Sequence, residues 1–438
     1  MVSRYFFIIF VRAPHTLVPS TAWTFQRFSS LALMSAQLGK GDRRFPSLAE
    51  GRASPIRVDK WKRLIALMAL AAGIIALIPG RMDAMNGVSA KSAILMEQHS
   101  GRVLFAKDAY TKRRIASITK IMTAVLAIES GKMDDLVTVS ARAVRTEGSS
   151  IYLRQGEKIK LRDLVYGLML RSGNDAAVAI AEHVGGSVEG FVFLMNKKAA
   201  EIGMRDTEFA NPHGLDDAEN HYSTAYDMAL LMQYAMKNSE FRRISGTKVY
   251  RAPAPPGEEG ARVWRNKNKL LTGLYEYCTG GKTGYTKRAH RTLVTTASKD
   301  GVNLIAVTLD APDDWNDHIA MYEYGFSHYH IANVSGKRIV GKITDPFYEG
   351  RLRAARDLQY PVTSEEENEL RVNVYLLKPR AEWKEDPDRV PAAVGKAVLY
   401  LHDKAVDETP LLYEHKKEKS GENSFWDLFS FLGVRSDG

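Results

Sequence analysis

The sequence predicts an α+β fold: one antiparallel sheet closed by strands from both ends of a domain, a helical subdomain between them, and a small C-terminal β-rich domain after them. Three observations predict it. Strand–turn–strand patterns stand near residue 93 and again near residue 300. The stretch between them carries apolar residues at helical spacing. Beyond about residue 335 helical patterns become scarce and apolar–polar alternation takes over.

In chain order, AILMEQHSGRVLFA (93–106) reads as strand, Ser-Gly turn, strand. A helix follows from Ser117, with Ile118, Ile121, Met122, Val125 and Leu126 along one apolar side. LRDLVYGLMLR (161–171) and DAAVAIAEHV (175–184) predict two more helices. Between them stands Ser172-Gly173-Asn174, three residue types that break and cap helices. Thr224-Ala225-Tyr226-Asp227 has the pattern of a capping box and opens a helix running to about Met236. RAPAPPGEEG (251–260) predicts a loop. TLVTTAS and VNLIAVTLD flank Lys299-Asp300-Gly301, a hairpin signal. In the second domain LRVNVYLL (370–377) and GKAVLYL (395–401) alternate as half-buried strands do.

With 438 residues, 45% hydrophobic and 26% charged, the chain is globular and long enough for two domains. Its net charge of +10 is unevenly placed. Residues 1–90 hold 12 Lys or Arg against 4 Asp or Glu, and the other 348 residues are close to neutral. The basicity belongs to a leader, so no nucleic-acid partner is expected. Lys60, Lys62 and Arg63 precede the apolar run Leu64–Ile78, whose length suits a signal-peptide core and is short for a spanning helix. Val88-Ser89-Ala90 offers small residues for cleavage, and an uncleaved anchor is the lesser option. Such signals stand at the start of a chain, so translation is expected to begin near Val58 or Met68, after residues 1–57. The expected division is 1–90 leader, 91–335 main domain, 336–418 β-rich domain and 419–438 tail. In that tail, KKEKSGEN (416–423) is a charged linker into SFWDLFSFLG. There Phe425, Leu428, Phe429 and Leu432 would line one face of a short helix, which either contacts a membrane peripherally through 424–434 or docks on its own domain. The single cysteine, Cys278, excludes an intramolecular disulfide and reads as a buried hydrophobe.

Three strings carry chemistry: Ser117-Ile118-Thr119-Lys120, Ser172-Gly173-Asn174 and Lys282-Thr283-Gly284. On a helix, positions i and i+3 are neighbours, so Lys120 can reach the Ser117 hydroxyl and take its proton. Each string alone is weak. S-x-x-K arises by chance roughly once or twice in a chain of this length, and Ser245–Lys248 is such a match, in the wrong order and opening no apolar helix. Ser172-Gly173-Asn174 alone would read as a helix cap. The Gly281-Lys282-Thr283 substring lacks the glycine five residues earlier that a phosphate loop needs; Glu276 stands there. His213 and His221 fit no zinc spacing, and neither metal nor cofactor is expected.

In this order the strings resemble the fingerprint of the penicillin-recognising serine enzymes. More closely, the chain is similar to the D-alanyl-D-alanine carboxypeptidases of the low-molecular-weight penicillin-binding proteins over about 88–415. ASITKIMTA, GSSIYLRQGE, RSGNDAAVAIAEHVGG, FANPHGLDD, HYSTAYDMA and GGKTGYTKRAH carry that likeness. The resemblance implies a β-lactamase/transpeptidase-like fold, export to the outer face of a bacterial cytoplasmic membrane or the envelope, and cell-wall peptide trimming. It implies a peptidoglycan pentapeptide ending D-Ala-D-Ala as substrate and β-lactam antibiotics as covalent inhibitors. By it, Ser117 is the nucleophile, Ser172 relays a proton to the leaving amine, and Asn174 holds Lys120 and the substrate amide. Lys282 and Thr283 take the terminal carboxylate, Gly284 admits the substrate backbone, and Tyr285 shares the oxyanion site with Ser117. Arg291 is a further candidate for the carboxylate. Two rivals keep the fold: a β-lactamase, for which Glu208 lacks the E-x-x-L-N context, and a non-catalytic wall-binding scaffold. An endopeptidase acting on cross-links stays open within the class.

Overall fold

The computed structural model of the protein describes residues 2–5, 87–255 and 257–415. The apolar run at 64–78, the linker at 416–423 and the segment 424–434 lie outside the described residues. Strand β1 (Val2–Tyr5) falls in the stretch read as leader, and pairs antiparallel with residues 374–377.

The main sheet opens with β2 (Ser92–Glu97) and β3 (Val103–Lys107). A 3-10 turn at Ala116–Thr119 leads into α1 (Lys120–Glu129). A two-stranded pair follows, β4 (Leu136–Thr138) and β5 (Lys158–Lys160), and then α2 (Leu161–Arg171), α3 (Asn174–Gly185) and α4 (Val188–Ile202). Next come α5 (Ala225–Ala235), α6 (Ser239–Ser245) and the hairpin β6 (Val249–Pro253) with β7 (Ala261–Arg265). Strands β8 (Cys278–Thr286), β9 (His290–Lys299) and β10 (Val302–Leu309), then α7 (Asp314–His328), complete this part. The sheet order is β3-β2-β10-β9-β8, antiparallel throughout. The first strand thus pairs with the last, as the α+β reading requires, and β8 is an edge.

Strand alternation explains the layering. Ile94 and Met96 of β2, with Ile305 and Val307 of β10, enter the core shared with α1–α5. Ala93, Leu95, Leu304 and Ala306 point the other way, into a core closed by Met321 and Tyr322 of α7. Both faces of the sheet are covered, so all six residues of β2 are buried. The segment before β2 is built into this layer. Val88 and Ala90 are buried, and the Asp317 carboxylate accepts from Ser89 N (2.6 Å), Ser89 Oγ (2.8 Å) and Ala90 N (3.0 Å).

The loop expected at 251–260 is shorter, since Arg251–Pro253 join β6 and pair with Ala261–Val263. The second core begins earlier than residue 336: β11 (His330–Val334) contributes Ala332 and Val334 to it. Strands β12 (Leu352–Ala354), β13 (Leu358–Val362), β14 (Leu370–Leu377), β15 (Ala393–Leu401) and β16 (Lys404–Tyr413) follow. They form a five-stranded sheet, β1-β14-β15-β16-β12, and a β11–β13 pair. Among the described residues no single helix is long and apolar enough to cross a membrane.

Candidate active site

Ser117 lies in the 3-10 turn, one residue after Ala116, which holds φ +48°. The helix proper starts at Lys120, so the serine and lysine stand on a tightened turn and not on regular α-helix. Lys120 Nζ is 2.8 Å from Ser117 Oγ and donates to the His213 carbonyl at 2.5 Å. The side chain is fully buried. Burial, then the charges of Lys282 and Lys267, hold its pKa well below the ordinary lysine value, against a weaker pull upward from Asp175. An uncharged amine at hydrogen-bond distance can accept the hydroxyl proton.

Helix α2 ends at Ser172, which takes a left-handed backbone (φ +65°) that turns the chain sharply toward α3. Strained backbone of this kind concentrates where a side chain must be aimed. Ser172 Oγ accepts from Lys282 Nζ at 3.0 Å, joining the second string to the third. Asn174 is buried; its Nδ2 donates to the Glu147 carbonyl at 2.5 Å, and its Oδ1 is buried with no partner. The expected grip of Asn174 on Lys120 is absent among these bonds; the His213 carbonyl supplies it instead. Asp175 next in line accepts from Ser150 Oγ, Ile151 N and Leu153 N, which pins the loop 148–153 over the start of α3.

Lys282 on edge strand β8 is 1% exposed and also donates to the Thr283 carbonyl at 2.6 Å. Burial, with Lys267 adding to it, lowers its pKa to about 7. A Cβ on Gly284 would sit 2.3 Å from Thr292 Oγ1 and 3.0 Å from the Ser117 nitrogen. The strand passes that close to Ser117 only because this residue has no side chain. The Tyr285 side chain is exposed.

Other candidates fall away from this cluster. Arg291 is paired with Asp314 at 2.6 Å and lies over the Trp315 ring. Ser245 is buried behind β8, where a Cβ on Gly280 would meet its Oγ, and Lys248 is exposed. Cys278 is buried, and burial raises its thiol pKa to about 11. The Glu208 carboxylate accepts from Asn220 and Tyr222.

Sequence reasoning missed Lys267. Its Nζ donates to Ser149 Oγ at 3.2 Å, and its charge helps depress both catalytic-site lysines. It also gave no role to the His213 carbonyl. The string FANPHGLDD held the signal, a proline and a glycine that bend a loop back onto α1.

The sequence profile of the D-alanyl-D-alanine carboxypeptidases, peptidase family S11, matches residues 81–313. The chain belongs to this family. D-alanyl-D-alanine carboxypeptidase DacF of Bacillus subtilis is 36% identical over 283 residues, covering 61% of this chain and 72% of that protein. DacC of Escherichia coli is 31% identical over 363 residues, covering 76% and 86%. The crystal structure of penicillin-binding protein 6B from Escherichia coli matches with a TM-score of 0.58 at 27% identity, over 77% of this chain and 98% of that one. A match of that extent takes in the second sheet as well as the first. As a D-alanyl-D-alanine carboxypeptidase the protein is a serine-type hydrolase of the penicillin-binding class, and the β-lactamase and scaffold alternatives gain no support.

Proposed function

We propose that this carboxypeptidase removes the terminal D-alanine from peptidoglycan stem pentapeptides through an acyl-enzyme on Ser117, and that penicillins acylate the same oxygen. One observation carries the reading: a buried, charge-depleted Lys120 amine 2.8 Å from the Ser117 oxygen. Lys120 takes the hydroxyl proton as Oγ attacks the scissile carbonyl. The oxyanion forms against the N–H groups of Ser117 and Tyr285. Lys282, with Thr283, holds the substrate's terminal carboxylate and keeps Ser172 in place, and Ser172 passes its hydroxyl proton to the departing D-alanine nitrogen while taking up the proton that Lys120 removed from Ser117. Asn174 meets the amide of the bound peptide. Water then cleaves the ester and Ser117 recovers its proton.

Ser117→Ala is expected to abolish both D-alanine release and covalent penicillin attachment, read by mass spectrometry of the intact protein. Lys120→Ala should fold, bind and fail to acylate. Penicillin attachment to the Ser117→Ala protein would sink the assignment. Export to the envelope, on the leader at 60–78, and membrane association, on the apolar face of 424–434, belong to the same proposal. So does the division into a peptidase domain and a β-rich domain, with the boundary moved from 335/336 to the start of β11.

A further inference from the structure

The nucleophile's backbone is held from behind as firmly as its hydroxyl. His221, 2% exposed, accepts at Nδ1 from the Ala210 N–H at 3.0 Å, so its ring proton sits on Nε2. Nε2–H then donates to Thr119 Oγ1 at 2.8 Å, which leaves the threonine hydroxyl to donate to the Ala116 carbonyl, also at 2.8 Å. Burial lowers the His221 pKa to about 4, with Arg114 and Lys120 acting in the same direction and Asp216 against it. The ring is therefore neutral near pH 7 and all three bonds run one way. Gly214 backs the same carbonyl; a Cβ there would fall 1.9 Å from Ala116 O. The Ile115 carbonyl is held in turn by Thr292 Oγ1 at 2.9 Å. The peptide between Ala116 and Ser117 is a rigid plane, with its C=O and N–H on opposite edges. Fixing the carbonyl therefore fixes where the N–H points, and the positive φ of Ala116 shows that its surroundings impose this orientation.

We infer that His221 is a positioning residue which, acting through Thr119, aims the Ser117 N–H at the oxyanion formed during acylation. The inference rests on Ser117 being the nucleophile. A donor that swings off axis weakens transition-state binding and leaves ground-state binding alone.

The test is the rate of acylation by a fluorescent penicillin, resolved into the pre-acylation dissociation constant and the first-order acylation rate. His221→Leu should lower the acylation rate about 10- to 100-fold, less than the loss of a whole donor, with the dissociation constant changed less than about threefold. His221→Gln, which can present an N–H at the same place, should restore the rate to within about threefold of the parent. Thr119→Val breaks the chain one bond later at almost unchanged volume and should match His221→Leu; it decides the matter if the leucine variant fails to fold. Melting temperatures should not track the rates. Acylation at the parent rate in both His221→Leu and Thr119→Val would overturn the inference. So would equal losses in His221→Leu and His221→Gln, which would make the site a packing requirement. An unlabelled parent protein would instead overturn the nucleophile itself.

Discussion

Lys282 and Lys120 are both enclosed, and enclosure disfavours the ammonium form of each. Their proposed roles need opposite states: an uncharged amine beside Ser117 and a charged one for the substrate carboxylate. The charge of Lys282 itself helps empty Lys120, so the first proton leaves the lysine that must act as base. With the Lys282 pKa near 7, its charge fades as pH climbs past neutrality. For a peptide with a free terminal carboxylate, kcat/KM is expected to fall about tenfold per pH unit above that point. Lys282→Arg keeps its charge and should move the falling limb to higher pH. A flat profile to about pH 9 would contradict this ordering of the lysines. The stability sign follows the same shifts. Folded Lys282 releases its proton at lower pH than in the unfolded chain, so its contribution to stability is lowest below about pH 7 and rises from there toward the ordinary lysine value, and the lowered pKa of Lys120 acts in the same direction. At this scale the clustered side chains were legible, because Ser117, Lys120, Ser172, Asn174 and Lys282 lie in short strings whose chemistry restricts residue type. The parts of Gly214, His221 and Lys267 were not, because each acts across the fold on Ala116, Thr119 or Lys120, about 95 to 150 residues away.

The elements aim those residues. Two helices were legible almost to their ends: Leu161–Arg171 matches its expected span, and Asn174–Gly185 exceeds its own by one residue at each end. Helices α4 and α7, each 15 residues of regular helix, went unread, and other misreadings sit where backbone geometry departs from regular repeats. Ser117 is the second residue of a 3-10 turn, in which the Ala116 carbonyl accepts from the Thr119 hydroxyl. Strand β6 was hidden because its last residues share a Pro- and Gly-rich string with the following loop. Loop 148–153 is held to α3 by one carboxylate, Asp175, which takes donors from Ser150, Ile151 and Leu153. Asp175→Ala would leave the Ile151 and Leu153 N–H groups buried without acceptors, and should lower stability by about 3 kcal/mol. Because Ser149 and Gly148 of that loop touch Lys267 and Asn174, penicillin acylation should slow as well. Thermal unfolding checks the first effect, and an unchanged melting temperature would show that the loop has other anchors.

At the scale of the whole molecule, the cores flanking the main sheet and the core of the β-rich part are tied by polar contacts. Arg102, from the turn between β2 and β3, donates to the Pro361 carbonyl and to the Glu366 carboxylate, and its guanidinium lies 5.3 Å from the ring centroids of both Tyr329 and Tyr360. The second sheet was legible from alternation alone, while β11 lay before its expected boundary because a five-residue strand beside a helix leaves little periodic signal. The proposed membrane contact belongs to this scale. Removing residues 419–438 should shift the protein from the membrane to the soluble fraction on centrifugation, with penicillin acylation unchanged. Unaltered fractionation would mean that the apolar tail face serves another purpose.

The clasp of Asp317 on the chain ahead of β2 bears on maturation. Ser89 and Ala90, expected as part of a cleavage site, are the donors that satisfy a carboxylate only 2% exposed. A cut after Ala90 would discard all three donors and leave an unanswered negative charge under the sheet. A new terminus at Ser89 would set an ammonium against it, and one at or upstream of Val88 would keep both amides. The length of leader that can be trimmed without loosening the finished enzyme is therefore set by a helix more than two hundred residues downstream.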